Sequence, residues 1–197
     1  MPCGIMDQMA VAIANTRQAM KLDTDTLVYE LVDIPDDVHM AVIHSGQYRR
    51  LSEGRYKERK EECDIVKKHL GRDDICQISD TEFASLDDLP APIIRRAKHC
   101  MTEHRRTQKA AKALARNDMT VFGELMVASH ISMRDDFEIT LPQIDELVED
   151  AVRFGAHGAR MTGGGFGGCI VAAVDKSDLE TWKSKLLAKH TDAFYVC

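Results

Sequence analysis

Apolar residues recur along this chain at two spacings, and the change from one to the other marks its elements. Between 52 and 70, Tyr56, Cys63, Val66 and Leu70 fall on one face of a helix in an otherwise charged segment. Pro92–Arg116 repeats the pattern over a longer stretch, with Ile94, Ala97, Met101, Gln108, Ala111 and Ala115 as the inner stripe. Asn117-Asp118 ends that helix and caps the next, which runs to about Ser132. Pro142 opens a further helix, where its missing N–H does no harm, and Ile144, Leu147, Val148, Ala151 and Val152 face inward. Helices are also predicted over Gly4–Asn15, over 80–86 with Asp80 or Thr81 as cap, and over 178–190. Leu27–Asp33 and Val38–Ser45 are β-rich and predict a hairpin turned at Pro35-Asp36-Asp37. Gly158–Thr162, Cys169–Val174 and Phe194–Cys197 are further strands. The pattern predicts an α+β fold with helices on one face of a small antiparallel sheet: a ferredoxin-like split β-α-β core with helical insertions. No repeat or linker interrupts it, so 1–197 is expected to be one domain.

The run Gly163-Gly164-Gly165-Phe166-Gly167-Gly168 lies between two of these strands. Such a loop turns sharply and can aim several backbone N–H groups at one point, which suits an anion; the alternative is a plain glycine-rich hairpin. It satisfies G-x-G-x-x-G, but a strand rather than a helix follows, and no Gly-Lys-Ser/Thr is present. Neither the dinucleotide fingerprint nor a Walker A loop is therefore indicated.

Composition narrows the function classes. Net charge is −6, which argues against general nucleic-acid binding. Segment 91–116 departs from that balance, with eight basic residues and one acid. It is expected to be a solvated helix face, set against the acidic helix around Asp145–Asp150. No apolar run approaches the ~20 residues of a membrane span, and the N-terminus lacks the pattern of a signal peptide, so a cytoplasmic chain is expected. The six cysteines form no C-x-x-C pair or zinc spacing, which predicts reduced thiols and no metal site. His99 and His104 are five apart, off the usual helical ligand spacing.

Two polar features could carry chemistry. Asp7 is the one acid in Cys3-Gly4-Ile5-Met6-Asp7-Gln8, where it either caps a helix or sits poised for a ligand. Asp135 and Asp136 could offer two oxygens to Mg²⁺, but adjacent side chains diverge, and capping or pairing with Arg134 is the simpler expectation.

Four strings occur in the order found in galactokinases: Cys3–Gln8; Ser52-Glu53 with Tyr56, Arg59 and Cys63; Ser129–Ile139; and Ala159–Ile170. On these the chain resembles the later half of that family of GHMP sugar kinases. The resemblance implies that Asp7 is the catalytic aspartate, receiving or orienting the proton of the galactose 1-hydroxyl as it attacks the γ-phosphorus of ATP. It implies that Gly4 and Tyr56 contact the sugar, although Gly54-Arg55 stands where the family string has Glu directly before Tyr. Gly163, Gly164, Gly165, Gly167 and Gly168 match the glycine loop lining the active-site cleft. The family's sugar-reading Gly-Glu-His-x-Asp segment and its Ser-rich phosphate loop, which handle galactose, ATP and Mg²⁺, do not occur in this sequence. The expectation is a chain that binds ATP and Mg²⁺ poorly by itself, needs a missing N-terminal domain, and self-associates through the bared interdomain face. A non-catalytic sugar-binding or scaffold remnant is the alternative.

Overall fold

A computed structural model describes residues 5–13, 15–48 and 52–197, and at Met6, Asp7, Ser52 and Glu53 the backbone alone. Its elements are α1 (Met6–Ile13), β1 (Gln18–Leu22), β2 (Tyr29–Asp33), β3 (Val38–His44), α2 (Ser52–Leu70), α3 (Asp80–Ala84), α4 (Ala91–Ala115), α5 (Met119–Asp135), α6 (Pro142–Arg153), β4 (Gly158–Thr162), β5 (Cys169–Asp175), α7 (Leu179–Lys189) and β6 (Phe194–Tyr195). The main sheet has the order β4-β5-β3-β6 with every neighbour antiparallel. Taken in chain order from β3, that is the ferredoxin-like split β-α-β, with α2 to α6 inserted in the first crossover and α7 forming the second.

The expected hairpin between β2 and β3 is corrected. β2 pairs instead with β1, a strand absent from the sequence reading, while β3 is central and has both edges taken by β5 and β6. Pro35–Asp37 does turn, closing Val38 N–H onto Pro35 O, but it passes the chain from one sheet to the other. Burial explains the division. β3 buries Val38, Ala41 and Ile43, as a central strand must, whereas β2 buries only Val32. The cap expected at Asp80 or Thr81 is Ser79, which forms a reciprocal capping box with Glu82.

Strand parity separates two cores. Ala41, Ile43, Ile170, Ala172 and Val174 meet Ile144, Leu147, Val148 and Ala151 of α6 and Trp182 and Leu186 of α7. Val38 and Ala173, on the opposite parity, meet Val32, Leu114, Met119 and Met126. Helices therefore cover both faces, which corrects the one-face expectation. A third cluster lies off the sheet, where Val66 of α2, Ile93, Ala97 and Met101 of α4, and Ile75, Ile78 and Leu86 pack together. Because α4 is wedged between α2 and α5, it has no single inner stripe: Ile93, Arg96, His99, Ala113 and Leu114 are buried, and Ala115 is exposed. Among the described residues no helix is long and apolar enough to cross a membrane.

β4 is an edge strand, and α5 covers its free edge. The approach is backbone to backbone. A Cβ on Gly123 would stand 1.9 Å from His157 O, and one on Gly158 would stand 2.3 Å from Gly123 O. Neither neighbour is a flexible side chain, so no rotamer change relieves the clash. Gly123→Ala is expected to lower the unfolding free energy by about 3 kcal/mol in urea titration. Gly54→Ala, at a helical site with nothing within 4 Å, is expected to raise it by up to about 1 kcal/mol.

Candidate functional site

The glycine loop joins β4 to β5, and its geometry is set by what lies beneath it. Gly163, Gly165, Gly167 and Gly168 have positive φ, as does Phe166 at 57°. A Cβ at Gly165 would lie 2.8 Å from both Cβ and O of Ile139, so the loop rests directly on that residue. Phe166 N–H donates to Ile139 O at 2.7 Å, and Gly168 N–H to Gln47 O at 2.9 Å. The Ser45 hydroxyl and N–H both donate to Gly168 O, at 2.7 and 2.9 Å. Those two loop N–H groups thus hold the loop to the fold rather than converge on an anion. Gly163 and Gly164 form the exposed tip, and a Cβ at Gly164 would meet nothing within 4 Å.

Ile139 is in turn positioned by the end of α5. Asp136 and Phe137 N–H both donate to Ser132 O, Glu138 takes a left-handed φ of 54°, and Ile139 N–H donates back to Met133 O at 3.0 Å. This reversal turns Ile139 O toward the loop. It is locked by Arg96 of α4, only 1% exposed. The guanidinium donates to Glu62 Oε2 at 2.7 Å, to Asp136 O at 2.6 Å and to Glu138 Oε2 at 2.5 Å. Burial works against the charge of Glu62, but Arg96 and Arg59 together hold its carboxyl below the usual range. Arg96 and Arg95 do the same for Glu138.

The rest of the Ser129–Ile139 string is structural as well. His130 Nδ1 accepts from Met161 N–H at 3.2 Å, on the free edge of β4, so its proton lies on Nε2, 3.0 Å from Asp145 Oδ1. Burial depresses the basicity of His130 despite that carboxylate. Ser129 donates to Glu103, which also receives Arg106 and Arg160. Ser132 Oγ donates to Asp136 Oδ2 at 3.0 Å and lies 3.0 Å from His99 Nδ1, which therefore carries the ring proton. Asp136 also accepts from Lys98, and Asp135 is paired with Arg134. The adjacent aspartates are thus committed to pairing, and among the described residues no group of His, Cys, Asp or Glu is arranged to hold a metal ion.

The basic helix finds different partners from those expected. Arg95 and Arg96 reach Glu138, Lys98 reaches Asp136, Arg105 reaches Asp80 and Arg106 reaches Glu103. The acidic helix α6 turns instead to His130, Arg134, Lys189 and His190. His99 is a core residue stacked on Phe137 at 4.5 Å, while the side chain of His104 is half-buried.

Of the residues singled out by sequence, Tyr56 and the glycine loop are brought to the same region. Arg55, one residue before Tyr56 in α2, lays its guanidinium 5.3 Å from the Phe166 ring centroid. Tyr56 itself is 50% exposed, not a core aromatic. Asp7 lies in the first turn of α1, its side chain outside the description, and Gly4 lies outside the described residues. Sequence reasoning missed Arg96, Gly123 and the His130–Asp145 pair; the only signal for Arg96 is a charge one residue off the inner stripe of an amphipathic helix.

An open groove of about 1090 Å³ lies at the other end of β3 and β5, near the Val38–Asp175 pair rather than the His44–Cys169 pair. Glu30, Asp33, Asp37, Asp118 and Asp175 are among its lining residues. That negative charge disfavours a free anion there.

Residues 110–192 match the family model for the C-terminal domain of GHMP kinases. The backbone is similar to that of a Lactococcus lactis galactokinase solved with galactose, with a TM-score of 0.92 and 32% identity over 100% of this chain and 54% of that one. Similarity to a mevalonate kinase of L. major (TM-score 0.60, 18% identity, 90% of this chain and 47% of that) and to the Lin0012 protein of Listeria innocua (0.57, 11%, 98% and 47%) is likeness of fold. The chain spans about half the length of the solved structures it matches.

Two outcomes follow from the buried polar groups. Arg96→Met leaves the Asp136 carbonyl without its donor and the largely buried Glu62 with Arg59 alone, so a loss of about 3 kcal/mol is expected in urea titration. Burial pushes the His99 imidazole down to about 4 from 6.5. The folded chain holds it neutral, so its contribution is complete above pH 6.5 and is lost as pH falls toward 4. Between pH 7 and 5 this costs about 2 kcal/mol. Thermal or urea unfolding should lose much of that pH dependence in His99→Gln, with His130 supplying what remains.

Proposed function

Because this chain carries a GHMP kinase C-terminal domain on the backbone of one half of a galactokinase, we propose that it supplies one wall of a site that phosphorylates galactose at the 1-hydroxyl. The observation that carries this reading is the match of the whole of this chain to 54% of an enzyme solved with galactose, together with the Cys3–Gln8, Ser129–Ile139 and Ala159–Ile170 strings. Asp7 orients the 1-hydroxyl and takes up its proton as the oxygen attacks phosphorus. Phosphoryl transfer needs alignment and charge stabilisation, which a placed carboxylate provides at the nucleophile. Gly4 gives the sugar close access to backbone. Tyr56, half exposed on α2, offers its hydroxyl to the sugar. The exposed Gly163-Gly164 tip permits close approach from the opposing wall, since no side chain stands there.

ATP and Mg²⁺ fit the described residues poorly. Two loop N–H groups are committed to Ile139 and Gln47, and no metal-ligating group is assembled among those residues. On this reading the phosphate cradle and the metal ligands are supplied by the part of a galactokinase that this chain does not span. When bound there, Mg²⁺ and ATP supply the phosphoryl group and neutralise its charge.

The 1–197 polypeptide alone is therefore expected to show no galactose-dependent release of ADP. Mixing it with a separately expressed N-terminal half of a galactokinase should restore release, and Asp7→Asn should abolish the restored activity. Galactose-dependent turnover by 1–197 alone, or full activity in Asp7→Asn, overturns the reading. Sugar binding in calorimetry with no turnover in any mixture supports the scaffold alternative instead.

A further inference from the structure

Helix α1 is rich in apolar residues, yet none of its described side chains is buried. Met9, Ala10, Val11, Ala12 and Ile13 follow one another without a polar break, and Val11 is 88% exposed. None of the five belongs to any of the three apolar clusters that hold the chain together. Helix α6 shows the contrast, since it turns Ile144, Leu147, Val148 and Ala151 into the core.

The distribution of these residues around the helix says what kind of partner they need. At about 3.6 residues per turn, five in succession pass once round the axis, so the apolar surface is a sleeve rather than a stripe. A second copy laid against α1 would cover one side of it. A helix that is apolar on every side calls for a cleft that encloses it. Its eight residues are also fewer than the roughly 12–15 that a helix needs to persist in water without packing. The whole of this chain matches 54% of the Lactococcus lactis galactokinase, so the rest of such an enzyme is available to form that cleft.

We propose that α1 inserts into an apolar cleft of the N-terminal half of a galactokinase, and that this half, rather than the fold of the present chain, sets the position of Asp7. The identity of the partner rests on the sugar-kinase reading. Asp7 lies one turn before Val11 in the same short helix, so whatever seats Val11 also places the backbone that carries the carboxylate. The acid is therefore not held ready on a finished wall. Its place is set when the two halves meet.

The 1–197 polypeptide is mixed with the separately expressed N-terminal half of the Lactococcus lactis galactokinase, without sugar or nucleotide. Association is followed by sedimentation velocity and calorimetry. The wild-type chain is expected to form a one-to-one complex. Val11→Glu and Ala12→Glu each put a charge into the cleft and should weaken the complex at least about tenfold. Ile65→Glu, at a 46% exposed apolar position on α2, should change the affinity by less than about threefold. Each variant alone should melt with the wild type, because α1 belongs to none of the chain's own apolar clusters. A melting point lowered by Val11→Glu would place α1 in this chain's core and overturn the inference. No association of the wild-type chain, or equal weakening by Ile65→Glu, overturns it as well. A dimer of 1–197 alone that Val11→Glu dissolves makes a second copy the occupant and also overturns it. Release of ADP on adding galactose and ATP is read separately. A complex that Val11→Glu breaks, but that never turns over, counts against the sugar-kinase reading and leaves α1 docked as stated.

Discussion

The buried guanidinium of Arg96 is the point through which three separate parts of the chain are held in register. It takes Glu62 from α2, the Asp136 carbonyl from the end of α5 and Glu138 from the reversal that follows. A planar cation with five N–H donors in a fixed fork holds several acceptors at set, widely spaced positions, whereas the donors of a lysine diverge from one nitrogen. Its charge is tolerable inside because two carboxylates and a carbonyl replace the water it gives up. From this anchor the order passes to Ile139, whose carbonyl receives Phe166 N–H, and so to the glycine loop. The loop sits where it does because a charge in another helix fixes the residue beneath it.

Around that anchor the glycines work by absence of side chains. Gly123 and Gly158 let α5 lie against the edge of β4 at backbone distance, and Gly165 lets the loop settle on Ile139. Close approach then brings the polar groups of α5 within reach of the strand. His130 takes the Met161 N–H that an edge strand would otherwise leave open. A segment reading as a polar, chemistry-rich motif is in this way consumed by architecture. Ser129, His130, Ser132, Asp136 and Glu138 are each paired within the fold, whereas the glycine tip and the turn of α2 carrying Arg55 and Tyr56 are exposed.

The division of labour along α2 has a similar logic. Its first turns face the loop through Arg55, its middle meets α4 through Glu62 and Cys63, and its end buries Val66. One helix therefore links the exposed turn at Arg55 and Tyr56 to the Glu62–Arg96 ion pair and the apolar cluster at Val66.

Much of this was legible in sequence. The strand–glycine–strand unit, the starts of α4, α5 and α6 at proline or Asp118, and the inward face of α6 all follow from local rules: turn chemistry, capping and periodicity act over a few residues and need no distant partner. The motif order likewise pointed to the family, because strings of that length carry information beyond their own conformation. What sequence could not decide was pairing at a distance. β2 and β3 look like a hairpin because they adjoin a turn, yet β3 is claimed by β5 and β6, which lie more than a hundred residues later and take both of its edges. Arg96 reads as one more charge in a basic helix until α2 and the end of α5 close over it. The glycine loop reads in sequence as either an anion cradle or a plain hairpin, and only the fold shows that Phe166 and Gly168 give their N–H groups to Ile139 and Gln47. In each case the residue type allowed two environments, and only the closing of remote segments chose between burial with partners and exposure to water.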